Sequence, residues 1–284
     1  MKPGVYASCV LAAGLLWSLA GLADGAAPLV LAELRLLGGG ALLVLYCGPA
    51  RCLRLLLGAS RAGVIGAAAG MVLFQWCLFG AYARCGLAFT ALVSTGASPL
   101  CADLFETSDA KWRTRGWRAA VLLCGGALLL AIVLGAVPAA GALLATLSAA
   151  GYALYAAASK SASSSAPADD VLLPTTALAL AVAGIALLPA AGPALGAFGV
   201  HKHLGLAAFL AIAATALPYV LFVKGLRGMA PGDALTLLNI QPAAALLLAL
   251  AAGQRVPPAY LATFTLMTAA MLLRSRSEAI TLST

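Results

Sequence analysis

A chain of 284 residues that is 63% hydrophobic and 9% charged departs far from soluble domains, which carry about 25% charged residues, and it reads as membrane-embedded. At about 20 residues per crossing of a hydrocarbon core roughly 30 Å thick, ten crossings consume most of the chain and exclude a separate soluble nucleotide-binding or DNA-reading domain. No P-loop or dinucleotide-binding glycine signature occurs, so neither a bound cofactor nor a nucleic-acid partner is expected.

Apolar runs predict spans at about 4–22, 28–47, 62–83, 86–104 and 117–134, then at 139–159, 171–189, 205–223, 234–252 and 258–273. The first run resembles a signal peptide, but it leads into further spans without a convincing cleavage site and is read as a retained first helix. With the N-terminus inside, thirteen of the 17 basic residues fall on the cytoplasmic side, and only Arg84, Lys202 and Arg255 fall outside. The net charge of +8 is therefore an orientation signal under the positive-inside rule, with anionic lipid as a secondary contact. The expected location is an inner membrane, with both termini cytoplasmic. The polar stretches 106–118 and 159–170 read as solvated cytoplasmic loops.

Shifting the sequence by 143 positions sets 82–103 (YARCGLAFTALVSTGASPLCAD) against 225–246 (GLRGMAPGDALTLLNIQPAAAL) without a gap. Arg84 then meets Arg227, Ala91 meets Ala234, and Pro99 meets Pro242. A unit of five spans reverses direction when it repeats, so the expected fold is an all-α membrane protein of ten transmembrane helices in two inverted-topology five-helix repeats, 1–136 and 137–284. Inverted repeats are an architecture of secondary transporters. Pro99 and Pro242 each remove a helix hydrogen bond and predict kinks. Both stand beside rare polar groups, Ser94, Thr95 and Ser98 in the fourth span and Asn239 and Gln241 in the ninth. Asn239 is the only asparagine, and at mid-membrane it is costly unless bonded.

These residues resemble the ten-helix drug/metabolite transporter superfamily, EamA-type. The carriers are LAAGLLWSLAG with Trp17, APLVLAELRLL with Pro28 and Arg35, LSAAGYALYAAASK with Tyr152 in the place of Trp17, and the prolines of the fourth and ninth spans. The family often closes those two spans with a Gly-Glu-Arg turn, where this chain has Gly253-Gln254-Arg255 in one repeat and Lys111 near the corresponding place in the other. The resemblance implies transport of a small metabolite, commonly export of amino acids or related compounds, through a central cavity by alternating access.

Glu33 is the only carboxylate well inside a span. Hydrocarbon disfavours its charged form, so it is suited to take up and release a proton, and proton coupling is assigned to it. Residues two apart on a helix point about 200° apart, so Arg35 is expected to reach another helix in a structural role. Expected substrate contacts are Trp17, Gln75, Ser94, Ser98, Tyr152, Tyr219, Asn239 and Gln241, between spans 1, 3, 4, 6, 8 and 9. Phe74, Trp76, Tyr82 and Tyr155 are further aromatic candidates. Such a cavity suits an amphipathic, neutral or zwitterionic molecule. Gly21, Gly25, Gly66 and Gly70, with the run Gly38–Gly40, read as close-packing faces.

No catalytic residues or metal ligands are expected. Seven cysteines lack ligand spacing, and His201 and His203 have no third ligand nearby. The partners are a small-molecule substrate, membrane lipid and protons, in a monomer or weak homodimer. Competing readings are an uptake permease, a lipid-acting enzyme built on Asp103, Glu106 and Asp109, and a non-transporting membrane subunit.

Overall fold

A computed structural model of the chain describes residues 3–18, 28–105, 114–165, 167–198, 203–251 and 258–281. Lys2, Gly21, Gly25, Glu106, Asp109, Lys111, Trp112, His201, Lys202 and the turn 253–255 lie outside them. All regular structure among the described residues is helical. The α-helices are α1 (Pro3–Ser18), α2 (Pro28–Glu33), α3 (Gly39–Cys47), α4 (Pro49–Leu57), α5 (Arg61–Cys85), α6 (Leu87–Phe105), α7 (Arg115–Val133), α8 (Ala139–Ala162), α9 (Ala168–Phe198), α10 (Leu204–Ala211), α11 (Leu217–Arg227), α12 (Pro231–Leu237), α13 (Ile240–Ala251) and α14 (Pro258–Thr281). Six helices among the described residues are long and apolar enough to cross a membrane: Arg61–Cys85, Ala88–Phe105, Arg115–Val133, Ala139–Ala162, Asp170–Ala197 and Leu204–Arg227.

Three of the expected spans differ in form for identifiable reasons. The 28–47 run is helical but passes through a π-helical turn at Leu34–Gly38. Gly48 then turns the chain at φ 89°, a conformation that favours glycine, and α4 leaves at 91° to the segment Leu34–Cys47. Arg51 and Arg54 therefore sit on a short helix rather than a loop, and Arg51 pairs with Asp170 at the start of α9. Both partners are well exposed, so this pair contributes little to stability. The ninth expected span is broken into α12 and α13 by a turn at Leu238–Asn239. The seventh does not stop at Pro189; α9 runs on through Pro174, Pro189 and Pro193. Much of the expected loop at 159–170 is also helical, because α8 extends to Ala162 and a 3-10 turn follows at Ser163–Ser165.

The closest seam lies between α5 and α8, which run antiparallel. Gly63 faces Ala162, Gly66 faces Ala158, Gly70 faces Tyr155, Gly151 faces Phe74, and Gly141 faces Cys85. A Cβ on Gly70 would come within 2.5 Å of the Tyr155 backbone nitrogen, and one on Gly151 within 2.5 Å of that of Phe74. Only hydrogen fits there, and the two backbones approach through a glycine stripe as small-residue membrane interfaces do. The helix pair α1 and α11 packs antiparallel in the same manner, with Gly225 and Gly228 against Val10 and Tyr6.

Proline chemistry explains two local distortions. Pro218 has no N–H for the Ala214 carbonyl four residues earlier, and the helix widens into a π turn at Ile212–Ala216 immediately before it. Pro99 likewise leaves the Thr95 carbonyl without its helical donor, and the Ser98 hydroxyl donates to that carbonyl at 2.9 Å. With that replacement α6 continues unbroken to Phe105.

At one end of the bundle, Arg274 of α14 reaches α6. Its Nε and Nη2 donate to the two carboxylate oxygens of Asp103, each at 2.6 Å. Nη1 donates to Thr236 Oγ1 at 2.9 Å, and Asp233 stands 3.6 Å away. Asp103 and Arg274 are almost fully buried, so this fork is held in low dielectric, with both carboxylate oxygens satisfied. Also bridging helices, Lys160 of α8 donates to the carbonyls of Leu226 and Arg227 at 2.6 and 3.0 Å. A cation there compensates the unpaired carbonyls at the C-terminus of α11.

Candidate functional site

The site grows out of the α5–α8 and α1–α11 seams, because the residues that leave the glycine contacts on these helices turn large aromatic chains toward one another. Trp17 of α1 meets Tyr219 of α11 edge-to-face at 4.9 Å between ring centroids and Tyr152 of α8 at 6.4 Å. Phe74 of α5 stacks on Tyr152 at 4.8 Å. Tyr155 and Phe222 close the cluster at 5.7 and 6.0 Å from the Tyr152 ring. Four helices from both halves of the sequence thus supply one aromatic centre. Offset and edge-to-face pairs of this kind are worth about 0.5–1.5 kcal/mol each beyond area burial.

The polar atoms around this centre are mostly donors. The Trp17 indole N–H is buried without a hydrogen-bond partner among the described residues. Gln75 Nε2 and the Tyr219 hydroxyl both donate to the thioether sulfur of Met71, each at 3.8 Å, and a thioether is a weak acceptor. The Tyr155 hydroxyl is hydrogen-bonded with Thr176 at 2.8 Å.

The remaining expected contacts occupy the periphery. Ser94 shares a 3.0 Å hydrogen bond with Ser148, one helical turn before Tyr152. Ser98 is occupied by the carbonyl that Pro99 leaves open. Asn239 lies in the break between α12 and α13 and donates from Nδ2 to the Thr236 carbonyl at 3.2 Å. Its neighbour Gln241 lies beside Gly14 of α1, three residues before Trp17, and its backbone N–H donates to the Leu238 carbonyl at 2.9 Å. Pro242 is the third residue of α13, in the first turn, where a missing N–H costs no helical bond. Trp76 is 47% exposed and points away from the cluster, while Tyr82 pairs with Phe79 at 5.5 Å.

Glu33 and Arg35 do not pair with each other. Glu33 is fully buried at the end of α2, and neither carboxylate oxygen has a hydrogen-bond partner among the described residues. It contributes to the wall of a groove of about 570 Å³, otherwise lined by apolar residues of the α2–α3 segment, α9 and α10, including Leu37, Leu42, Leu195 and Leu204. Arg35 extends instead to the π turn before α11. Its Nε donates to Thr215 Oγ1 at 3.2 Å, and Nη2 donates to the Ala214 carbonyl at 3.3 Å. That carbonyl is the one that Pro218 leaves without a helical donor. Gly39 permits this approach, since a Cβ there would come within 2.5 Å of Thr215 Cγ2.

Sequence reading did not single out Met71, Phe222, Thr215 or Ser148. Two of them had a signal: Phe222 is three residues after Tyr219 and Met71 four before Gln75, so each shares a helical face with a residue already chosen. Thr215 and Ser148 had none, because only the packing of distant helices makes them neighbours.

Residues 139–276 match the EamA-like transporter family. The chain is 30% identical over 258 residues to the uncharacterized transporter YwfM of Bacillus subtilis (strain 168), an alignment covering 87% of this chain and 86% of that protein. It is similar in fold to a solved structure titled only as the crystal structure of a protein, with a TM-score of 0.66 and 18% identity over 97% of this chain and 98% of that one. An apolar helical bundle with several membrane-crossing helices, matched over most of its length by a transporter relative, places this chain in the EamA-like transporter family as a multi-pass membrane protein.

Proposed function

We infer that the protein is a secondary transporter that exports a small organic metabolite, such as an amino acid or related amphipathic compound, across the inner membrane. In this reading the chain crosses ten times as two inverted five-helix repeats, with both termini cytoplasmic. The broken segments α2–α3, α10–α11 and α12–α13 each count as one crossing. The observation that carries the reading is the aromatic centre itself, to which α1 and α5 from one half and α8 and α11 from the other contribute Trp17, Phe74, Tyr152 and Tyr219. A site shared between repeats is where relative motion of the two halves opens it first to one side and then to the other.

Glu33 supplies the coupling proton in this scheme. A buried carboxylate whose oxygens have no hydrogen-bond partner among the described residues is costly to hold as an anion, so loss of its proton is tied to a conformation that hydrates it. The expected result in proteoliposomes is substrate counterflow that an imposed proton gradient accelerates. Glu33→Gln is expected to keep counterflow and lose the response to the gradient. Tyr219→Ala is expected to lower the flux at least tenfold, by removing a wall of the site. A panel of amino acids, amines, organic acids and nucleobases without any counterflow, from correctly inserted protein, overturns the assignment.

A further inference from the structure

Arg35 stands in an unusual electrostatic position for a side chain in a membrane span. It is half-buried, and its two hydrogen bonds go to neutral acceptors, Thr215 Oγ1 and the Ala214 carbonyl. Neutral dipoles orient a guanidinium but do not cancel its charge, and an uncompensated cation at this depth is costly. Glu33, the nearest acid in sequence, makes no bond to it. Among the described residues, two of its five N–H donors are engaged, which leaves donors that an incoming acceptor can use.

The surroundings lack the same thing. Thr215, which Arg35 bonds at 3.2 Å, lies four residues before Tyr219 of the aromatic centre, about one helical turn away. There, the Trp17 N–H has no acceptor, while Gln75 Nε2 and the Tyr219 hydroxyl share one thioether. A cation and several under-used donors beside rings that provide apolar surface are complementary to one kind of molecule.

We propose that Arg35 binds the carboxylate of the transported molecule, so that the substrates are amphipathic monocarboxylates whose apolar body lies against Trp17 and Tyr219. This deepens the transporter reading and rests on it. A planar guanidinium presents two parallel N–H groups to a carboxylate, which an ammonium does not. Its existing bonds to Thr215 and Ala214 fix the orientation of that fork before the ligand arrives. The carboxylate supplies the missing countercharge, and the proposal assigns the buried Trp17 N–H to it as a further donor. Because Glu33 points elsewhere, an amino group on the substrate is not required for recognition.

The test uses three probes with one hydrocarbon body: 3-phenylpropanoate, 3-phenylpropanamide and 3-phenylpropylamine. Binding to the purified full chain in detergent is read by thermal shift and tryptophan fluorescence, and exchange is read in proteoliposomes. The acid is expected to bind at least about tenfold more tightly than the amide, the scale of one or two charge-assisted hydrogen bonds. Arg35→Gln is expected to reduce that ratio to near one by weakening the acid alone, and Arg35→Lys to restore part of it. Should Arg35→Gln fail to fold, Trp17→Phe keeps an aromatic ring while removing the N–H and part of the ring surface. It is expected to weaken the acid and the amide alike through the lost surface, and to weaken the acid several-fold further, because its charged oxygens lose the stronger bond. Equal binding of all three probes, or preference for the amine, overturns the role of Arg35. Exchange of the amide or amine as fast as the acid leaves the transporter reading standing while the carboxylate proposal falls. Tight, Arg35-dependent binding of the acid without exchange of any probe supports the site and counts against transport.

Discussion

Arg274→Leu is expected to cause a larger loss of stability than any other single charge removal in the chain. Arg274 is 2% exposed and Asp103 is fully buried, and two 2.6 Å bonds tie one to the other. Removing the cation leaves a buried carboxylate with no compensating charge, a change that costs roughly 3–5 kcal/mol. Thr236 loses a donor at the same time. The expected readout is a melting temperature in detergent well below that of the wild type. The double variant Arg274→Leu/Asp103→Leu is expected to recover much of the loss, since removing both charges abolishes the desolvation penalty along with the attraction. Asp233→Asn provides the contrast. That carboxylate is 38% exposed and 3.6 Å from Arg274, so its removal should cost no more than about 1 kcal/mol. A double variant no more stable than Arg274→Leu alone would show that the pair is not what stabilises the junction of α6, α12 and α14.

The second large effect is steric and acts on the α5–α8 seam. Gly151→Val places a branched side chain where even a Cβ would lie 2.5 Å from the Phe74 nitrogen and 2.9 Å from the Gly70 carbonyl oxygen. Both obstacles are backbone, so no rotamer change relieves them, and α5 and α8 must separate. Overpacking of this kind costs about 1–3 kcal/mol and sometimes more, which exceeds the roughly 1 kcal/mol that replacing a helical glycine with alanine gains in propensity. The separation also displaces Phe74 and Tyr152, which stack at 4.8 Å, so transport is expected to fall along with thermal stability. Gly126→Ala on α7 has the opposite expected sign. A Cβ there meets nothing within 4 Å, and only the propensity term remains, worth up to about 1 kcal/mol of stabilisation. Equal behaviour of the two variants in a thermal melt would show that backbone contact at the seam is not limiting.

Much of the architecture was legible because membrane insertion is a one-dimensional problem. The length and apolarity of a run determine whether it can cross, and Arg61–Cys85 or Ala139–Ala162 reads as a span from hydropathy alone. Interruptions were harder to read. Proline at position 99 leaves α6 intact, because Ser98 supplies the missing donor, while the helix before Pro218 widens into a π turn. A proline predicts a lost hydrogen bond, and which neighbour replaces it is decided by the local side chains and the packing around them.

What the sequence by itself determined is therefore the class of the protein, several of the spans, the aromatic residues on helical faces, and the family resemblance carried by short motifs such as LAAGLLWSLAG. Those are properties of composition and of local spacing along one helix. Only the tertiary structure decided which faces meet. It brought Trp17, Phe74, Tyr152 and Tyr219 together from four helices, and it made Thr215, 180 positions away, the partner of Arg35. It also joined Asp103 to Arg274 across 171 positions. In the sequence Asp103 counted with Glu106 and Asp109 as an acidic cluster, and Arg274 among the cytoplasmic orientation charges. The physical reason is that pairing between helices depends on rotation and depth, and these are set by where glycines allow backbones to touch. That information is distributed over both partners of each seam and is absent from either one alone.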